Sequence, residues 1–450
     1  MHGDANRESA NRQPHIRTGW AGIKAFRRSP ARPPVFASDV SAGRTQPPAL
    51  LFAFVAVLSL LVLGAQASIA NGSTGGAGQQ TESSVASGQT PFDRQGMWIW
   101  YVDRSDGGEP SRIIARARRF AIGTVYIKAG DGGTVWSQFN SSLVDALHRG
   151  GLDVCAWQFV YGNQPLAEAK VGAAAVRHGA DCLVIDAEGQ YEGKYAAADL
   201  YIRALRARIG EAFPLSLAGF PYVDYHPAFP YSVFLGPGGA TFNQPQMYWK
   251  AIGTSVRAVY EHTYIFNRLW GRPIYPLGQT YGGAGRSAIV RFRRFAESYG
   301  GQPTSWWDWQ ETTSRGWGAL AAQIAGPIFG YSPIETQPLL KRRSKGDLVV
   351  WAQEHLQGAG QTTVPINGLF EHRTYGAVRA FQLSQGLPED GVIGTSTWQA
   401  LLGFEPVRPD WSGTTEGEQG ARVSRASIPT RPRSASLPAK AYEVNPGPAP

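Results

Sequence analysis

Cysteine is almost missing from this chain: 450 residues hold only Cys155 and Cys182, too few for a disulfide framework of the kind that staples small exported domains. Charge is also sparse at 17%, while aromatics reach 12%, a balance that excludes a wholly disordered chain. The eight histidines show no metal-ligand spacing and no HExxH, which argues against a zinc amidase or peptidase. No GxSxG elbow or phosphate loop occurs, and neither cysteine has the partner pattern of a thiol peptidase. No metal or other cofactor is therefore expected. There is no concentrated Lys/Arg stripe either. Of the net +9, the first 67 residues carry +5, which leaves a weakly basic body and argues against a nucleic-acid partner.

Between Arg44 and Glu82 there is no charged residue, and Ala49 to Ala65 within that gap is almost continuously apolar. With Arg17, Lys24, Arg27, Arg28, Arg32 and Arg44 upstream and Ala65-Gln66-Ala67 downstream, this reads as an export signal cleaved after Ala67. An uncleaved membrane anchor with its basic flank in the cytoplasm is equally open. The expected order is a basic N-terminus (1–47), signal peptide or transmembrane helix (48–67), and a Gly/Ser/Thr/Gln linker (68–91). Two folded units (92–330 and 340–403) and a disordered Pro/Ser-rich tail (404–450) follow.

Within 92–330, apolar strand-like segments start near 96, 124, 153, 181, 214, 243, 273 and 304, separated by Ala-rich stretches with helical spacing. Eight such alternations in about 240 residues predict an α/β fold of the TIM-type (β/α)8 barrel class. A doubly wound open sheet is the rival, but its Gly-rich phosphate loop is not found. Cys155 and Cys182 both open neighbouring strands. Adjacent parallel strands rarely suit a disulfide, so buried free thiols are expected, with a bond open if the chain is exported.

The second unit holds an internal repeat: NGLFEHRTYGAV (367–378) and DGVIGTSTWQAL (390–401) align at an offset of 23. Each copy reads as a turn followed by a Thr-initiated helix, and with an amphipathic helix around Leu348 to Leu356 they predict a small three-helix module. Lys345-Gly346-Asp347-Leu348, Asn367-Gly368, Thr374 to Val378, Phe381-Gln382 and Asp390-Gly391-Val392-Ile393-Gly394 with Thr397-Trp398 closely resemble the peptidoglycan-binding-like domain family. Asn367 and Glu371 depart from its usual Asp and Gly. The resemblance implies attachment to bacterial cell-wall glycan or its peptides.

In the barrel, LVIDAEG closes the fourth strand. Asp186 and Glu188 stand two apart, so both side chains leave one face and point into the barrel mouth, where barrel chemistry sits. Two close carboxylates raise one pKa and supply the acid that protonates a glycosidic oxygen. Glu188 is the expected proton donor, with Asp186 orienting it or stabilising positive charge; an ion pair with Lys128 or a helix-cap contact is the structural reading of the same residues. This region resembles the family-25 glycoside hydrolases, lysozymes with an Asp-x-Glu on this strand, and the similarity extends to IKAGDGG (127–133) and Trp309-Gln310. That family's first strand supplies an early Asp. Here Trp98 and Trp100 stand in that region, which passes the second carboxylate's task to Asp103 or Asp308.

Substrate contacts are expected from Tyr101, Lys128, Gln158, Tyr222, Tyr248, Gln279 and Trp309 at strand ends, with Tyr161, Gln246 and Tyr281 as further candidates. Ten of the 14 tryptophans fall within 92–330, most of them expected in the core. The resulting expectation is an exported, wall-associated glycoside hydrolase acting on peptidoglycan, with a membrane partner if the apolar segment is retained. A non-catalytic glycan-holding envelope protein and a glycosidase for another surface polysaccharide are the other readings.

Overall fold

The structure, a computed structural model, describes residues 89–412. Nine strands form one sheet: β1 (Gly96–Ile99), β2 (Thr124–Asp131), β3 (Thr134–Val135), β4 (Asp153–Val160), β5 (Cys182–Ala187), β6 (Leu215–Ala218), β7 (Phe242–Asn243), β8 (Leu277–Gln279) and β9 (Ser305–Trp307). β3 folds back antiparallel on the end of β2. The other eight run parallel in the order β7-β6-β5-β4-β2-β1-β9-β8. Bridges from Asn243 to Ile274 and from Gln246 to Leu277 join the two ends into a ring. The fold is therefore (β/α)8-like. β8 begins at Leu277, later than the expected 273, because Pro273 and Pro276 lack the N–H groups a continuous ladder needs.

Helices follow the strands on the outside: α1 (Pro110–Arg119), α2 (Ser141–Arg149), α3 (Pro165–Arg177), α4 (Tyr195–Ile209), α5 (Tyr231–Phe234), α6 (Trp249–Ile252), α7 (Val256–Asn267), α8 (Arg286–Ser298) and α9 (Ser314–Leu320). Their starts are written locally. Asn140, Ser255 and Thr313 accept the backbone N–H three residues on, while Pro110 and Pro165 occupy first-turn positions where no N–H is needed.

Strand alternation sorts the side chains into two layers. Outward residues such as Val125, Ile127, Val154, Ala156, Leu183 and Ile185 pack against the helices. Inward residues include Trp98, Tyr126, Cys155, Trp157, Cys182, Val184 and Trp307. Cys155 and Cys182 face each other in register on β4 and β5 and are joined in a disulfide, so the expectation of free thiols is overturned. Their Cα atoms lie 4.6 Å apart, inside the range a disulfide spans, because directly opposed inward residues of neighbouring strands approach this closely.

The C-terminal helices α10 (Asp347–Gly358), α11 (His372–Ser384) and α12 (Thr395–Leu401) form the small module. The repeat has a physical basis. Gln353 Oε1 accepts the Asn367 and Gly368 N–H groups, and its Nε2 donates to Asn367, Leu369 and Thr374. Gln382 does the same 29 residues on: it accepts Gly391 N–H and donates to Asp390, Val392 and Thr397. Each buried glutamine thus satisfies the turn that launches the following helix.

This module packs on the barrel. The Ser232 N–H and hydroxyl both donate to the fully buried Asp347, and Trp351 Nε1 donates to Leu269 O while its ring meets Trp270. Residues expected in a disordered tail take part: Val407 N–H donates to Glu354 O, Arg408 pairs with Asp199, and the Trp411 ring lies 4.8 Å from Tyr195. Burial of Trp411 explains why order continues past Gly403. Among the described residues no helix is long and apolar enough to cross a membrane; the run 49–65 and the linker before 89 lie outside them.

Candidate functional site at the barrel mouth

Beneath the mouth lies a floor of aromatic rings. Trp98 stacks on Tyr126 at 5.1 Å, and Trp98, Trp157 and Trp307 meet at 5.4–5.8 Å between centroids. Trp98 Nε1 donates to Ser305 Oγ and Trp157 Nε1 to Ile99 O, so these rings are held by hydrogen bonds as well as packing.

Above this floor β5 delivers Asp186 and, one step beyond its end, Glu188. Both are buried. Gln246 Nε2 donates to Asp186 Oδ1 at 2.9 Å and to Glu188 Oε1 at 3.1 Å, which holds the two carboxylates within about 6 Å of each other. Burial pushes the Asp186 carboxyl up to about 7. The Lys128 charge and the Gln246 hydrogen bond pull it down, and Asp131 adds to the rise. This group therefore exchanges its proton near neutral pH.

Lys128 is 1% exposed, and burial pulls its pKa below that of an ordinary lysine. Its direct ion pair is not with Asp186 or Glu188. Its Nζ instead lies 2.6 Å from Asp131 and over the rings of Trp136, Trp157 and Trp100 at 4.3, 5.0 and 5.4 Å. Asp131 is further held by the Tyr161 hydroxyl.

Asp186, Glu188, Lys128, Gln246 and Tyr248 line one cavity with Trp98, Trp100, Trp157, Phe159, Leu277 and Trp307. The cavity offers about 20 Å³, room for roughly one water molecule. Tyr248 is buried there, and burial drives its hydroxyl well above the usual range, which keeps it protonated as a donor.

The remaining expected residues stand elsewhere. Asp308, also pushed up to about 7 by burial, accepts the Glu311 N–H and is not a wall of the cavity. Asp103 and Tyr101 lie on a neighbouring groove, where Arg104 covers the Tyr101 ring at 4.2 Å. Gln158 is turned outward. It donates to Gly132 O and Glu168 O under α3, because on β4 the inward row is Cys155, Trp157 and Phe159. Gln279 Oε1 accepts the N–H groups of Lys250 and Ala251 and so fixes the start of α6. Tyr222 stacks on His262 at 3.8 Å. Trp309 packs on Trp317 and donates to Asp106, tying down the loop after β1. The structure thus does not bring Gln158, Gln279, Tyr222 or Trp309 to the cavity. Trp157, Phe159 and Trp307 were not singled out from the sequence; for the first two the signal is the parity of CAWQFV once Phe159 is paired with the inward Asp186.

Comparison with known proteins locates the C-terminal unit. A family described as "Putative peptidoglycan binding domain" matches residues 345–401. A protein of Kitasatospora aureofaciens, described as "Uncharacterized protein in bpoA1 3'region", is 33% identical over 90 residues, which are 20% of this chain and 75% of that protein. The chain belongs to the same family as that protein. Among solved structures it is similar to the Bacillus cereus spore cortex-lytic enzyme SleL, at 11% identity and a TM-score of 0.38, covering 50% of this chain and 74% of that one. It is also similar to a chitinase from Chromobacterium violaceum, with 12% identity and a TM-score of 0.34, covering 50% of this chain and 98% of that one. A family 25 glycosyl hydrolase from Bacillus anthracis gives 13%, 0.26, 35% and 72% in the same order.

Proposed function

We propose that this protein is an exported glycoside hydrolase that cuts the glycan of the bacterial cell wall, held there by its C-terminal domain. The observation that carries the barrel's part is the Asp186–Glu188 pair, bridged by Gln246 above a wall of tryptophans. Glu188, nearer the mouth, protonates the leaving glycosidic oxygen. Asp186, whose proton exchanges near neutrality, sets the charge beside it.

Both acids come from one strand, so they cannot flank a glycosidic bond from opposite sides. The cavity's other walls are Trp98, Trp100, Lys128, Trp157, Phe159, Gln246, Tyr248, Leu277 and Trp307, none of them a carboxylate. The opposite-face nucleophile is then water or the substrate's own 2-acetamido oxygen, which an N-acetylated wall glycan carries. Export is supported by the apolar run 49–65 with its basic flank and by the Cys155–Cys182 disulfide, a bond that persists in oxidising compartments.

One observation favours a second reading. A cavity of about 20 Å³ does not admit a sugar ring until side chains such as Trp100 or Trp307 move, as suits a barrel that holds glycan without cutting it. Purified protein on labelled cell walls decides between them. Soluble fragments from the wild type and a loss of at least about 100-fold in Glu188→Gln are expected of the enzyme. No release from any wall preparation sinks it.

A further inference from the structure

The C-terminal domain carries a second, differently built groove. It measures about 640 Å³ and is lined by Arg342, Arg343, Lys345 and His372 with Glu371 and Phe370. Arg342 and Arg343, with His372 beside them, thus stand against one carboxylate, Glu371. Arg342, Arg343, Lys345 and His372 are all exposed. The other nearby acid, Asp347, does not neutralise them, because it is fully buried against Ser232.

A groove for neutral sugar needs open aromatic faces; Phe370 in its lining is buried at 1% exposure, and the nearby Tyr375 ring lies beneath the Arg342 guanidinium at 5.7 Å. Guanidinium forks match planar, two-oxygen anions. Arg343 is also held in the left-handed region at φ 77°, which a residue with a side chain rarely adopts. Its N–H donates to Phe370 O and Phe370 N–H donates to Ser344 O, so the pairing that lines the groove fixes this conformation. Non-glycine residues held this way gather at binding sites.

We infer that this cationic groove is the domain's contact with the wall, and that it takes the free carboxylates of peptidoglycan peptide stems. The inference rests on the domain match at 345–401 and not on the barrel's chemistry, so either can fail without the other. The domain contacts the barrel beside the groove: Asp347 N–H donates to Pro227 O, in the segment that follows β6.

The test is co-sedimentation of the full chain with purified walls. Three preparations are compared: untreated, stripped of phosphodiester-linked polymers by acid, and amidated on free carboxylates with carbodiimide and ethanolamine. Binding is expected to persist on stripped walls, fall at least about tenfold on amidated walls, and weaken as salt rises. The paired change Arg342→Gln with Arg343→Asn removes two cations, and asparagine tolerates positive φ. It should weaken binding to untreated walls about tenfold, as the loss of two exposed charges allows. Unchanged binding by a folded double variant overturns the inference. So does loss on stripped walls with retention on amidated ones, which would assign the groove to phosphodiesters. The amidation arm uses the wild-type protein and decides the matter even if the variant fails to fold.

Discussion

The disulfide inside the barrel gives the most quantitative test. Cys155 and Cys182 are 27 residues apart and both fully buried. Cross-linking a loop of that length removes about 3.5 kcal/mol of chain entropy from the unfolded state. Replacing both by alanine isolates that term better than serine, because serine would bury two hydroxyls with no assured partner. The paired variant Cys155→Ala with Cys182→Ala should lose about 3–4 kcal/mol, a fall in thermal midpoint of roughly 5–10 °C for a unit of this size. Because no sulfur is exposed, reductant added to the folded protein should change the midpoint little until it opens. Thiol titration in denaturant supplies the independent check. Protein purified without reductant should show no reactive thiol, and two after reduction. Two reactive thiols without reduction, or a paired variant as stable as the wild type, would refute the bond and remove the compartment argument drawn from it.

Three further outcomes follow from the same geometry. Asp186, pushed up to about 7, should place an inflection near that pH in the rate of glycan release; Asp186→Asn should abolish it. Gln246→Leu removes a hydrogen bond that pulls this carboxyl down, so it should move the inflection upward, and an unmoved profile counts against the bridge. Burial also pushes Asp347 up to about 7 from 3.8, so its contribution to stability is complete below about pH 4 and is given up as pH rises toward 7. Thermal midpoints measured across that window should slope less in Asp347→Asn than in the wild type, and equal slopes would show that this carboxyl does not titrate as described. Trp157→Ala removes a ring buried between Trp98 and Trp307 and should cost about 3–5 kcal/mol by thermal or denaturant unfolding, a loss below about 1 kcal/mol being the refuting result.

What could be read from the sequence follows the strength of each periodic signal. Strands with a run of inward and outward apolar residues at an interval near 30 were visible, and β1, β2 and β4 begin where that interval puts them. β8 did not, since its prolines leave only a bridge at Ile274 and defer the ladder to Leu277. Asp186 and Glu188 were legible because two acids interrupt an apolar strand with a spacing of two, which settles their common face without any knowledge of neighbours. Gln158 was misplaced for the opposite reason: in CAWQFV both rows are apolar enough to be buried, so the strand does not announce which row faces the axis. Opposed strands decide it. Once Asp186 points inward, its register partner Phe159 on β4 points inward too, and Gln158 must face α3. The same pairing places Cys155 opposite Cys182, so parity carried across one ladder yields both the disulfide and the aromatic wall that composition assigned only to a core. Gln246 needed more than parity. It comes from beyond β7, and it reaches Asp186 and Glu188 only because Gln246 bridges to Leu277 as the ring closes, a contact 60 residues from Asp186 that no local pattern encodes.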